Sequence, residues 1–166
     1  MVSDIQNGMV MIQTMVKIAG RNGNYLLDMA PGPDGSMEEA QKKLFAEIGS
    51  RTKIYGESVY GTEDGTYLPI KGDFVSTRKN NKIFLHLLSG QTSITLPAFE
   101  NKIVSSKLLA TTEKVVLKKV NNKFIFSVPT NYKMKMICHL IPLLKLNITK
   151  PVNLKTNIHE KIFAVI

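Results

Sequence analysis

Apolar residues recur at helical spacing over residues 5–19. Ile5, Met9, Ile12, Val16 and Ala19 lie four and three apart, on one face of a helix. Val10, Met11, Met15 and Ile18 form a second apolar face, so this helix expects cover on both sides. Gly20 and Gly23 stand where it stops. Tyr25-Leu26-Leu27-Asp28-Met29-Ala30 is then a nearly continuous apolar run, the pattern of a short strand buried on both faces of a parallel sheet. Pro31-Gly32-Pro33-Asp34-Gly35 reads as a rigid loop. Ser36-Met37-Glu38-Glu39 reads as a capping box opening a second helix. Ala40, Leu44 and Ile48 line that helix, and Gly49 is placed to end it. Helix–strand–helix is a slice of an α/β protein, and a lone parallel strand leaves two edges unpaired.

From residue 61 the period changes to two. Phe74–Thr77 and Ile83–Leu88 flank Lys79-Asn80-Asn81-Lys82, a hairpin signal. Ser93–Leu96, Ile103–Leu109 and Val115–Val120 predict further strands. Asn121-Asn122 then turns the chain into Phe124–Val128, which alternates cleanly. Short strands at this spacing, with no helical period between them, point to an antiparallel sandwich. The fold class expected is α+β.

Composition narrows the function classes. A chain of 166 residues is too short for a complete eight-stranded α/β barrel, which needs about 250 residues. With 43% hydrophobic residues it is not disordered as a whole. A single cysteine excludes an internal disulfide framework and a cysteine-rich zinc site. No apolar run is long enough for a membrane span, and Met1-Val2-Ser3-Asp4 lacks the basic start of a signal peptide. No compartment is assigned. The net charge of +9 is uneven: residues 102–166 carry 12 basic and 2 acidic side chains. Those lysines are scattered, with no Arg and no aromatic platform between them. They read as solvated strand faces and an anomalous tail, and argue against nucleic acid as a partner.

Several motifs carry a family resemblance. Asn22-Gly23-Asn24-Tyr25-Leu26-Leu27-Asp28-Met29-Ala30-Pro31-Gly32-Pro33-Asp34-Gly35 resembles the "GGNLLLNIGP…DG" segment of α-L-fucosidases of glycoside hydrolase family 29. Ile48-Gly49 with Tyr55-Gly56-Glu57-Ser58-Val59-Tyr60-Gly61-Thr62 is similar to "IG…NGEAIYGT", and Ser76–His86 to "STRKGNKIYLH". Ile94–Ala98 and Lys107–Leu109 also match, in the same order, and the resemblance extends over about residues 8–134. It implies three parts: residues 1–60 as the C-terminal remnant of a (β/α)8 catalytic barrel, 61–134 as a β-sandwich, and 135–166 as a divergent tail. It implies a hydrolase acting on α-L-fucosides of glycans, with no cofactor and no metal. A fucosylated glycan is a partner only if the rest of the barrel is supplied. Relatives of this family are commonly periplasmic, secreted or lysosomal.

The resemblance also implies what the chain lacks. Retaining glycosidases use two carboxyl groups about 5–5.5 Å apart, one as nucleophile and one as acid/base. In this family the nucleophile is an Asp upstream of every segment matched here, so no catalytic residue carries over. The expected function is therefore a C-terminal fragment, inactive alone. The alternative is a non-catalytic sandwich module that binds carbohydrate or a protein.

Asp28, near the C-terminal end of the expected barrel strand, is the one weak substrate-binding candidate, with a supporting structural role favoured. Asp34 reads as a turn residue, Glu39 as a cap, and Glu57 as a bridge from the last helix to the sandwich. His86, on an apolar strand, reads as a core histidine. His139, His159 and Cys138 have no partner that marks them as catalytic. Tyr60, Tyr67 and Phe74 read as packing between the two parts rather than as a sugar-stacking surface.

The tail departs from the family. Where relatives continue with an acidic turn and a strand like "DTIIEL", residues 136–150 read Met-Ile-Cys-His-Leu-Ile-Pro-Leu-Leu-Lys-Leu-Asn-Ile-Thr-Lys. Synonymous codons exist that, read two bases later, encode Asp-Met-Pro-Leu-Asp-Thr-Ile-Ile-Glu-Ile-Lys-Tyr-Asn-Lys. A frameshift near Lys135 is the reading of that tail. It would remove the last strand, expose a sheet edge and promote self-association.

Overall fold

The computed structural model describes residues 8–68, 74–89, 91–128 and 143–149. In chain order these form α1 (Gly8–Ala19), α2 (Glu39–Tyr55), a 3-10 turn (Gly56–Ser58), β1 (Glu63–Asp64), β2 (Phe74–Lys79), β3 (Lys82–Leu87), β4 (Ser93–Pro97), β5 (Ile103–Leu108), β6 (Val116–Val120), β7 (Lys123–Ser127) and β8 (Leu143–Ile148). The class is α+β, as the change of period implies.

All strand pairs are antiparallel, in a five-stranded sheet of order β1-β2-β3-β8-β5 and a three-stranded sheet of order β4-β7-β6. The turn chemistry explains both hairpins. Lys79 pairs with Lys82 across a two-residue loop in which Asn80 takes a positive φ of 53°. Val120 pairs with Lys123 across Asn121 and Asn122, with φ of 46° and 59°. Asparagine tolerates that region, and two positive φ values in succession give a turn whose twist matches its strands.

Alternation then sorts the residues of the large sheet into two faces. Phe74, Ile83, Leu85, Leu87, Leu108 and Leu146 point to the small sheet and meet Ile94, Leu96, Phe124 and Phe126 in a common core. Aromatic edges lock it: Phe99 stands T-shaped on Phe124 with centroids 5.2 Å apart. Val75, Thr77, Phe84, His86 and Lys145 face the other way, under the helices. The molecule is thus layered as helices, large sheet, small sheet. Gly20, just past α1, makes the first contact of that outer layer close. A Cβ there would overlap the Val75 side chain, so only glycine lets the helix end rest on β2.

Several expectations are corrected. Residues 25–30 form no strand: among the described residues no other strand lies beside them, and Leu26 is 89% exposed. An apolar run supplies the propensity but not the partner a ladder needs. The capping box does not form. Ser36 donates its amide and its hydroxyl to Asp34 Oδ1 at 2.9 and 2.6 Å, a local turn that outcompetes the cap. Helix α2 begins at Glu39 with Glu38 as an N-cap that makes no side-chain bond. Gly49 does not end that helix, which runs on to Tyr55 and stops at Gly56. Helix α1 buries Gly8, Ile12 and Val16, while Val10 on its second face is 47% exposed. The tail does not leave the sheet open. Leu143–Ile148 lies between β3 and β5, with Leu146 and Ile148 buried in the core.

Candidate functional site

The helix layer and the large sheet meet at two polar contacts. The first is built on Glu57, in the 3-10 turn after α2. Its carboxylate accepts from Lys82 Nζ at 2.5 Å and from Lys145 Nζ at 2.7 and 3.0 Å. Lys82 begins β3 and Lys145 sits in β8, so one carboxylate ties the end of the helical layer to two strands. Hydrogen bonds from Lys145 and then from Lys82 hold the Glu57 carboxyl below the ordinary carboxylate range. The same pairing holds the Lys82 ammonium above its ordinary value. Glu57 therefore bridges the helix to the sandwich, as the sequence suggested.

The second contact lies on the same sheet face. Thr77 Oγ1 donates to the backbone carbonyl of Ser58 at 2.6 Å and lies 3.1 Å from His86 Nε2. The hydroxyl's single proton is committed to Ser58, so Nε2 is the donor and the neutral ring carries its proton there. His86 is buried, and desolvation pushes its pKa down to about 3. It is a core histidine, and the Ser58 backbone beside it works against that shift without overcoming it. Beside it is a small apolar-walled cavity lined by Ile12, Val16, Arg51, Tyr55 and Val59, with room for roughly two water molecules.

The other candidates are not brought together. Asp28 is exposed and accepts from the amide of Met29 at 2.7 Å. Asp34 is engaged by Ser36, whose hydroxyl and then amide hold its carboxyl below the ordinary range. Glu39 pairs with Lys42 one turn on, at 2.7 Å, and caps nothing. Tyr67 and Phe74 belong to the sandwich core and not to the junction. Their rings stand T-shaped, and the buried Tyr67 hydroxyl donates to Pro97 O at 2.7 Å. Burial raises the Tyr67 pKa well above its ordinary value. Tyr60 is exposed, with its ring beside Gly56. Cys138, His139 and His159 lie outside the described residues.

Among the described residues, no three or more His, Cys, Asp or Glu come together as a metal ligand set. No described helix is long and apolar enough to cross a membrane. Sequence reasoning missed the roles of Thr77 and Lys145. Thr77 carried a signal, a hydroxyl among the outer-face residues of a strand whose neighbours are apolar. Lys145 carried one as well, a lone cation between Leu144 and Leu146 in period two.

The junction holds a carboxylate locked by two ammonium groups and a desolvated neutral imidazole. That chemistry fixes one layer on another; it does not assemble a nucleophile with a proton donor.

Comparison with known proteins fits this picture. The family model for alpha-L-fucosidase matches residues 1–57. Alpha-L-fucosidase isoenzyme 1 from Paenibacillus thiaminolyticus is 20% identical with a TM-score of 0.75, covering 87% of this chain and 35% of its own. The Thermotoga maritima alpha-fucosidase is 22% identical with a TM-score of 0.74, at 87% and 35% coverage. An alpha-L-fucosidase of family GH29 from Bacteroides thetaiotaomicron, trapped as a covalent intermediate, is 18% identical with a TM-score of 0.74, at 88% and 33% coverage. No curated protein sequence matches the chain. At these identities the likeness is one of fold, and the chain spans about a third of the length of the solved structures it matches. The fold is that of the C-terminal part of α-L-fucosidases, with a family-level sequence match over the helical region.

Proposed function

We propose that this chain is the C-terminal part of a retaining α-L-fucosidase, a hydrolase of α-L-fucosides in glycans, and that these 166 residues do not turn over substrate by themselves. One coincidence carries the reading. The family model matches residues 1–57, and the solved α-L-fucosidases match in fold over 85–93% of the chain, well beyond that segment. In this reading residues 1–60 end the catalytic barrel and residues 61–134 are the sandwich, whose large sheet is completed by β8 from the divergent tail 135–166.

The sandwich serves as a base. Glu57 and the Thr77–His86 pair clamp the last helical turn to the large sheet. A retaining reaction needs two carboxyl groups about 5–5.5 Å apart, one attacking and one protonating the leaving oxygen. Glu57 cannot serve as the acid, because two lysines favour its ionised form. Glu39 is occupied by Lys42 on an exposed helical turn. Of the two carboxylates in segment 20–35, Asp34 is engaged by Ser36, which leaves Asp28 in a supporting role.

The test is hydrolysis of an aryl α-L-fucoside by the purified chain, with fucose added to a thermal melt of the same preparation. No turnover and no stabilisation is the expected result. Turnover above a mock purification overturns the proposal and makes Asp28 the first residue to replace. Saturable stabilisation without turnover supports a carbohydrate-binding module instead.

A further inference from the structure

Two acid-titrating side chains, His86 and Glu57, hold the helix layer on the large sheet. Among the described residues the core between the two sheets holds none. Tyr67 is the one ionisable member of that core, and its phenol stays neutral throughout the acid range. The layers are also joined loosely along the chain. Residues 59–62 alone connect the helical part to the strands, and Gly61 takes a positive φ of 62° there. A further tie across the junction is long: Gln13 Nε2 lies 3.5 Å from Leu88 O.

The surroundings of His86 give a charged ring little support. Helix α1 presents only apolar side chains to the cavity beside it, Ile12, Met15 and Val16. Helix α2 presents Arg51 and Tyr55, and β2 the Thr77 hydroxyl. Strand β8 sets Leu143 opposite His86 in the ladder. Lys82 and Lys145 share its sheet face and are turned to Glu57. The Ser58 carbonyl is the group that favours the charged form. Among the described residues no carboxylate pairs with the ring: Glu47 lies 4.0 Å from Arg51 Nε, and Glu57 is held by the two lysines. A second proton on the ring, at Nδ1, therefore calls for water. The cavity has room for about two molecules, but its walls are apolar. Water reaches the ring in quantity only when the helices move off the sheet.

We propose that this junction is an acid-released latch: protonation of His86 lifts the helix layer from the large sheet while the two sheets stay packed. Such a partial opening is a cooperative unit of lower stability than the whole fold. It concerns two layers that the chain itself supplies, so it stands apart from the fucosidase reading.

Amide exchange read by mass spectrometry at pH 7 and pH 5, corrected for the intrinsic pH dependence, tests it. The ring titrates near 6.5 once exposed and at about 3 when covered, so the opening constant of α1 and α2 should rise roughly 25-fold over that range. At both pH values it should exceed that of β4, β6 and β7 by about tenfold or more, the mark of an opening short of global unfolding. His86→Gln should leave the helices nearly flat with pH. Glu57→Gln should raise their opening at pH 7 and keep its rise toward pH 5, because the Glu57 carboxyl titrates below that window. Helices and strands that open equally overturn the proposal, since the fold is then lost as one unit. So do helices whose opening does not change with pH, or a His86→Gln protein with the wild-type rise. Should His86→Gln fail to fold, the comparison of helices with strands in the wild type decides the matter.

Discussion

Burying His86 as a neutral ring makes the fold sensitive to acid. In the unfolded chain the imidazole titrates near 6.5, whereas in the fold its pKa lies at about 3. The folded value is depressed for a base, so the stabilisation is full above the unfolded pKa. It is lost as pH falls from 6.5 toward 3, where the unfolded chain holds a proton that the folded chain does not. Each pH unit in that window costs about 1.4 kcal/mol. Between pH 7 and pH 4 the loss is about 3 kcal/mol, since the first half-unit lies above the unfolded pKa. For a domain of this size that loss lowers the melting temperature by roughly 10 °C. The assay is a set of thermal melts from pH 7 to pH 4 on wild type and His86→Gln. Glutamine keeps a donor for Thr77 and does not titrate. The variant is expected to lose most of the pH dependence, while contributions from His139 and His159 are common to both proteins. Parallel curves for the two proteins would refute the assignment of this acid sensitivity to His86.

Other outcomes follow from particular contacts. Replacing Glu57 by Gln should cost about 1–2 kcal/mol, because Lys145 is only 12% exposed and loses its partner. Double-mutant cycles by chemical denaturation should show stronger coupling of Glu57 to Lys145 than to Lys82, whose side chain is 40% exposed. The depressed Glu57 carboxyl adds stability above its ordinary pKa of 4.5 that fades as pH falls further, which Glu57→Gln should abolish. Replacing Gly65 by Ala should prevent β1 from pairing with β2. A Cβ there would overlap Ser76, including its backbone, and amide exchange at Gly65, which now bonds to Ser76 O at 3.1 Å, should rise. Sequencing the coding DNA across residues 135–150 is expected to show codons that yield Asp-Met-Pro-Leu-Asp-Thr-Ile-Ile-Glu two bases later. Codons that cannot yield it end the frameshift reading.

Legibility in the sequence followed locality. Both hairpins were readable, because an Asn-Asn pair between alternating strands tolerates the positive φ that a two-residue turn needs. Strands β2 to β7 were readable for the same reason. Segment 25–30 was misread because composition reports how willing a segment is to be a strand, not whether a neighbour exists. The Ser36 cap failed because Asp34, only two residues away in the chain, took both Ser36 donors. Gly49 was overruled because α2 continues through it, and a glycine inside a helix costs only about 1 kcal/mol. Strand β8 was overlooked although Leu144, Leu146 and Ile148 alternate with Lys145 and Asn147. The departure from the family ending drew attention away from a period that was present. The Thr77–His86 contact rests on the pairing of Val75 with His86 and Thr77 with Phe84, a cross-strand register that no local pattern spells out.

The position of β8 has a consequence for how this protein is made. The strand that separates β3 from β5 leaves the ribosome last, 56 residues after β3 ends at Leu87. At 5–20 residues per second the nascent chain spends roughly 3 to 11 seconds with β3 finished and its partner not yet synthesised. Throughout that interval a strand containing Ile83, Phe84, Leu85 and Leu87 presents an unpaired edge to whatever is nearby, and β5 has no sheet to join. Slower translation lengthens that exposure. Yield of soluble chain should therefore depend on the speed with which the message is read between residues 88 and 148 and on chaperone occupancy during it, even where the finished fold is unchanged.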